Sequence, residues 1–235
     1  TTDRNRTSPF AFTGNKFEFR MLGSSASVSD ANIVINTAVA ESLRQFADRL
    51  EGADNFETEL NILIRETIKK HKAIIFNGNG YGDEWIEEAR KRGLCNYPTT
   101  PDAISHYLDE ENIKLFNMHK VLSREEMESR FEIMLDNYNK LINIEARTMV
   151  NMARKDILPC VSGYSKVLAD TAISKKTLSD AIDCSYEEES VKRISVLLNS
   201  ANKILEELRV AVEDMKPITD NKLRAYHCKD VVLPL

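Results

Sequence analysis

The chain has 235 residues, 42% of them hydrophobic and 29% charged, which is enough apolar material for a buried core and excludes disorder along its whole length. The formal net charge is −5, and the basic residues alternate with acids along apparent helices, which excludes a general nucleic-acid binder. Cys95, Cys160, Cys184 and Cys228 form no CxxC pair and share no zinc-ligand spacing with His71, His106, His119 or His227, so they are read as reduced thiols of a cytoplasmic protein. No run approaches the roughly 20 apolar residues of a membrane-spanning helix. The chain opens on Thr1 inside a motif-dense stretch, so a piece of a longer protein is expected.

In chain order, the first element is a strand. Lys16, Glu18 and Arg20 alternate with Phe17, Phe19 and Met21, and a period of two puts the charges on one face and the apolar residues on the other. Helices follow almost without interruption. The first is predicted from Asp30 to Glu51, stopped by Gly52, with Ile35, Val39, Leu43, Phe46 and Leu50 as its apolar stripe. A second runs from Phe56 to Phe76, its end marked by the basic run Lys69, Lys70, His71 and Lys72, which suits the helix dipole. Residues 77–82 (NGNGYG) read as a loop, Asp83 as the cap of a short helix ending at Gly93, and Asp102–Leu108 as another short helix after Pro98 and Pro101.

Ser123 followed by Glu126 is a capping box. Beyond it Met127, Phe131, Met134, Tyr138 and Leu141 recur at spacings of four and three, predicting a long amphipathic helix to about Ile157, with Pro159 bending or ending it. Glu145 falls on the extrapolated stripe and reads as a buried ion-pair partner. Val191, Ile194, Leu198, Ala201, Leu205, Leu208, Val212 and Met215 repeat the pattern, and the two helices should pack as an antiparallel hairpin. His227 and Cys228 read as a fraying helix end.

The strand's charged face is the one place where the residues suggest chemistry. Two cations flank one acid at alternate positions, and Arg4 and Arg6 upstream add two guanidinium groups. Such forks bind phosphate and carboxylate oxygens, and a carboxylate among them either neutralises charge or holds a metal that binds the same phosphates. A solvated, salt-bridged strand face explains the same residues. Gly78, Gly80 and Gly82 do not complete a phosphate-binding GxGxxG, because residue 83 is Asp.

Residues 4–20 (RNRTSPFAFTGNKFEFR) closely resemble type III glutamine synthetases. So do NIVINTAVAE from Asn32 to Glu41, HKAIIFNGNGY from His71, YPTTPD from Tyr97 to Asp102, and IEAR from Ile144 to Arg147. The resemblance implies an α+β fold, predominantly helical here. Residues 1–120 would be the C-terminal part of a catalytic domain, with the remnant of its sheet, and 121–235 a long-helix bundle. It implies ATP-dependent ligation of ammonia to glutamate through a glutamyl phosphate, with Mg2+ or Mn2+, in a homo-oligomer, a dodecamer by family resemblance. The family's basic-x-Glu-x-Arg strand places a metal ligand at Glu18 and a binder of the substrate carboxylate at Arg20. Lys16 falls near the nucleotide phosphates. Arg4 and Arg6 fall at the catalytic arginines of the transferred phosphoryl group, Arg6 also toward the nucleotide. The other ligands lie upstream in the family, so this chain alone is expected to be inactive. Two other classes are weighed: an arginine-rich phosphotransferase resembling guanidino kinases, and a non-catalytic helical assembly module.

Overall fold

A computed structural model describes residues 10–12, 16–20, 23 and 26–235. The chain divides into two compact units, one comprising the residues up to Pro98 with Tyr107–Met127, the other Thr99–His106 with Glu128–Leu235.

In the first unit, β1 (Phe10–Phe12) pairs antiparallel with β2 (Phe17–Phe19), placing Phe10 opposite Phe19, Ala11 opposite Glu18 and Phe12 opposite Phe17. The pairing is short because only three residues on each side are in register. Helix α1 (Ser29–Glu51) and helix α2 (Phe56–His71) form a hairpin. Asn55 caps α2 by accepting the Thr58 N–H at 3.0 Å, and Arg49 bridges the pair to Glu59 at 2.5 Å and Glu66 at 2.6 Å. The α2 pattern stops earlier than expected, at His71, and tightens into a 3-10 turn over Lys72–Ile74. On α1, Val39 and Leu43 of the expected stripe are exposed. Leu43, Phe46 and Leu50 line one side of an open apolar groove of about 470 Å³, with Leu60, Leu63 and Ile64 of α2 on the other.

Helix α3 (Asp83–Lys91) begins one residue earlier than its expected cap allows: Gly82 is the N-cap and Asp83 the first helical residue. Its end is as expected, with Gly93 at φ +71°, a left-handed conformation that glycine adopts without strain. Helix α4 (Thr100–Ile104) belongs to the second unit and starts earlier and ends sooner than predicted, because Pro101 fits the first helical turn. Helix α5 (Glu110–Met118), not anticipated from the sequence, supplies Ile113 and Phe116 to the first unit's core, where they join Leu122 and Met127.

Helix α6 (Arg124–Met152) opens on the expected capping box: Ser123 Oγ accepts the Glu126 N–H at 3.2 Å and Glu126 Oε2 accepts the Ser123 N–H at 2.8 Å. Pro159 does not end this helix. A π-helical turn over Ala153–Ile157 widens the backbone, and helix α7 (Leu158–Leu178) continues with Pro159 in its first turn, the widened turn before it accommodating the proline ring and the missing N–H. Helix α8 (Ser185–Glu213) runs back along this length. Glu187 meets Lys175, Glu206 meets Arg154 at 2.5 Å and Glu213 meets Arg147 at 2.9 Å, so one numbering falls as the other rises, which fixes the pairing as antiparallel.

The seam of α8 is the predicted one, with Leu205, Leu208, Val212 and the following Met215 buried. That of α6 is displaced by one residue from Leu135 on: Leu135, Ile142, Ala146 and Val150 are buried, whereas Leu141 is 54% exposed and Glu145 lies on the surface. Glu145 is therefore no buried ion-pair partner. Helix α9 (Asn221–His227) and a π-helical turn over Cys228–Val232 close the core, and Cys228 has no exposed surface, so this end does not fray.

Candidate functional site

The charged strand keeps Glu18 and Arg20 on one side. Arg20 directly follows β2, and its Nη2 donates to Glu18 Oε2 at 2.9 Å, which brings the two charged side chains together. Their side chains are 21% and 26% exposed, and Ala11, directly across the ladder from Glu18, is buried. The aromatic face is the open one, with Phe17 62% and Phe19 49% exposed. Its rings pack on each other, Phe10 stacking on Phe17 at 5.2 Å and meeting Phe19 edge-on at 6.1 Å. Lys16 is exposed at the start of the strand. Arg4, Arg6 and Met21 lie outside the described residues.

The strand's own donor set bears on metal binding. Glu18 offers one carboxylate, and among the described residues no group of three or more His, Cys, Asp or Glu side chains is arranged to hold an ion. A magnesium ion takes one or two protein carboxylates together with waters and phosphate oxygens, so Glu18 fits as one ligand of such a site and cannot form it by itself.

The other blocks singled out in the sequence are points of attachment. Glu41, which ends NIVINTAVAE, receives both Nε and Nη2 of Arg44 at 2.9 Å, Nε2 of Gln45 at 2.6 Å and the His119 ring at 2.8 Å. Arg44 foremost, then Gln45 and His119, hold its carboxyl far below the usual carboxylate range. After HKAIIFNGNGY, Arg92 Nη1 donates to the carbonyls of Ala73 at 3.0 Å and Ile75 at 2.8 Å while its guanidinium lies over Trp85, which stacks on Phe76. Asp102, the last residue of YPTTPD, accepts the Thr99 hydroxyl and Lys229 Nζ at 2.9 and 3.1 Å, contacts that lower its pKa in that order. In IEAR, Ala146 enters the core and Arg147 joins Asn143 and Glu213 at 2.9 Å each. The partners Lys229, His119 and Glu213 carry no local signal; each lies far from its mate in sequence.

The family profile of the glutamine synthetase C-terminal domain matches residues 59–176. This chain belongs to the glutamine synthetase C-terminal domain family. It is 41% identical over 216 residues to the type-3 glutamine synthetase of Dictyostelium discoideum, covering 87% of this chain and 29% of that protein. It is 38% identical to a glutamine synthetase of Butyrivibrio fibrisolvens, covering 99% of this chain and 33% of the relative. For a glutamine synthetase of Bacteroides fragilis (strain YCH46) the identity is 36%, covering 92% and 30%. The chain thus spans about a third of the length of the curated relatives it matches. Within the glutamine synthetase C-terminal domain, the matched region begins in α2 and ends in α7, so it covers the helical part and leaves the strand to the likeness with whole relatives. Among the described residues no helix is long and apolar enough to cross a membrane.

Proposed function

We propose that the chain acts as part of a longer enzyme that ligates ammonia to glutamate at the expense of ATP, through a glutamyl phosphate. In this reading residues 1–120 complete the catalytic domain and 121–235 form the helical region. What supports it is the likeness to three glutamine synthetases over 87–99% of the chain, together with the contact between Glu18 of β2 and Arg20 just after it.

Glu18 is read as one ligand of a divalent ion, Mg2+ or Mn2+, which when bound supplies positive charge to the phosphoryl group during transfer. Arg20 then binds the substrate's carboxylate; its planar fork can orient an oxyanion pair, and its contact with Glu18 fixes where that fork starts. Lys16, together with Arg6, is assigned to the nucleotide phosphates and Arg4 with Arg6 to the transferred phosphoryl group. The ligation converts a glutamate carboxylate and ATP to an acyl phosphate and ADP, after which the ammonia nitrogen attacks the acyl carbon and phosphate leaves. Fixed cations around the anionic centre lower the barrier because their charge is oriented before reaction.

Assembly into a homo-oligomer, dodecameric in this reading, and a cytoplasmic location belong to the same proposal. The exposed side chains of Ile144, Met149, Met152 and Ile157, which line an apolar groove of about 390 Å³ on the outer side of α6, are the surface such an assembly would cover.

The experiment is Glu18→Ala in the full-length protein, assayed for ATP- and metal-dependent γ-glutamyl hydroxamate formation. Activity is expected to fall by at least about a hundredfold, the scale of losing one transition-state electrostatic contact. Unchanged turnover at ordinary magnesium concentration would remove Glu18 from the site.

A further inference from the structure

Within the second unit, four cationic side chains converge on one cavity of about 280 Å³. Lys140 and Arg147 reach it from α6, Lys216 from the turn after α8, and Arg224 from α9. Three are already partly neutralised. Lys140 lies 2.5 Å from Asp136, Arg147 lies 2.9 Å from Glu213, and Lys216 pairs with the other oxygen of Glu213. Arg224 differs. Its Nε and Nη2 both donate to the Ile218 carbonyl, the former at 2.9 Å, which fixes the guanidinium, yet no carboxylate among the described residues forms an ion pair with it.

Four cations therefore face two carboxylates, Asp136 and Glu213, leaving a surplus of two positive charges in one concavity. The apolar part of the lining comes from Val212 and Met215, which belong to the buried core. Asn143 Oδ1 accepts Arg147 Nε at 2.9 Å and so holds that second guanidinium in place.

We propose that this cavity binds a small organic dianion, specifically a short-chain dicarboxylate. Two negative charges match the surplus, and a held guanidinium meets one carboxylate with paired N–H donors. The second carboxylate falls to Lys140 and Lys216. The carbon chain between them lies on Val212 and Met215, a contact that an inorganic phosphate cannot make. Because the ligand's partners come from α6, α8's C-terminal turn and α9, occupancy ties the C-terminal segment to α6 and stabilises the folded unit by mass action.

Isothermal titration of the full chain with glutarate at low ionic strength and neutral pH, and with inorganic phosphate as comparison, tests the assignment. One glutarate site is expected, with phosphate at least about tenfold weaker. Arg224→Gln and the double variant Lys140→Ala with Lys216→Ala should each weaken glutarate at least about tenfold, the size of one lost charge-assisted hydrogen bond. The two lysine side chains are 68% and 64% exposed, so the double variant decides the matter even if Arg224→Gln fails to fold. No glutarate binding at about ten millimolar, equal or tighter phosphate binding, or glutarate affinity unchanged in the double variant would overturn the proposal.

Discussion

Cys228 sits where three elements meet, its Sγ 3.7 Å from Asn139 Oδ1 and 3.8 Å from Met215 Sδ, and burial pushes its thiol up from an ordinary value of 9.0 to about 11. The folded state thus favours the protonated thiol. Its contribution is complete below about pH 9 and is lost as the pH rises toward about 11, because the unfolded chain releases the proton first. Urea unfolding between pH 8 and 11 should show a falling midpoint whose slope is smaller in Cys228→Ala; the same slope in both would contradict the burial. Reagents tell the same story: Cys95 and Cys160 are exposed, whereas Cys184 and Cys228 are buried. Ellman's reagent should label two thiols in the native chain and four in denaturant, and labelling of all four in the native chain would be inconsistent with this packing. Residue identity alone shows none of this. The His227–Cys228 pair looks terminal in sequence, and only the return of α9 across α6 and α8 reveals a core position.

At the scale of elements, local signals decide the structure where a residue acts on its neighbours. The Ser123 capping box, the Asn-Gly loop after α2 and the left-handed Gly93 each follow from side-chain or backbone chemistry spanning a few residues. Ser123→Ala should cost about 1 kcal/mol, measured as a lowered urea midpoint with unchanged helical content. No change would mean that the box contributes nothing beyond its backbone. Where geometry accumulates over many residues, the sequence misleads. Of the two readings of Pro159, a bend or an end, the end does not occur, because a π-helical turn accommodates the proline, and the α6 stripe slips from Leu141 and Glu145 to Ile142 and Ala146. Helices α5 and α7 carry weak signals: α5 has only nine residues, and the apolar residues of α7 are spread round it, with Val167, Ile173 and Leu178 exposed while Leu168 and Ala172 are buried. The α8 seam is legible in the four-three repeat, whose members Leu205, Leu208, Val212 and Met215 are buried, while the core residue Ala211 lies outside that repeat. Leu205→Asp places a charge among Leu208, Ala211 and the α6 face. It should cost at least about 3 kcal/mol, the scale of an unpaired buried charge, and thermal unfolding should show it; a Tm within a few degrees of wild type would argue that α8 is not packed there.

Across the whole chain, four of the five sequence blocks that resemble the family do structural work in the two units: Glu41 gathers His119, Arg92 holds the turn after α2, Asp102 receives Lys229, and Arg147 receives Glu213. Their pairing was illegible because one member of each tie is a single charged residue in an ordinary helical stretch. The strand is the exception, since alternation over five residues revealed its charged face directly, while Arg4 and Arg6, which complete the sequence reading of that site, lie outside the described residues. The rings of Phe17 and Phe19 are open, and the chain spans about a third of the length of its relatives; under the proposed function the chemistry belongs to the longer enzyme. The isolated chain should accordingly make no glutamine. The most direct measurement uses the full-length protein supplied with ATP, ammonia and glutamate carrying oxygen-18 in its side-chain carboxylate. Ligation through a glutamyl phosphate moves one labelled oxygen into the phosphate for each glutamine formed. Glutamine formed with unlabelled phosphate, or ATP consumed without glutamine, would contradict the account.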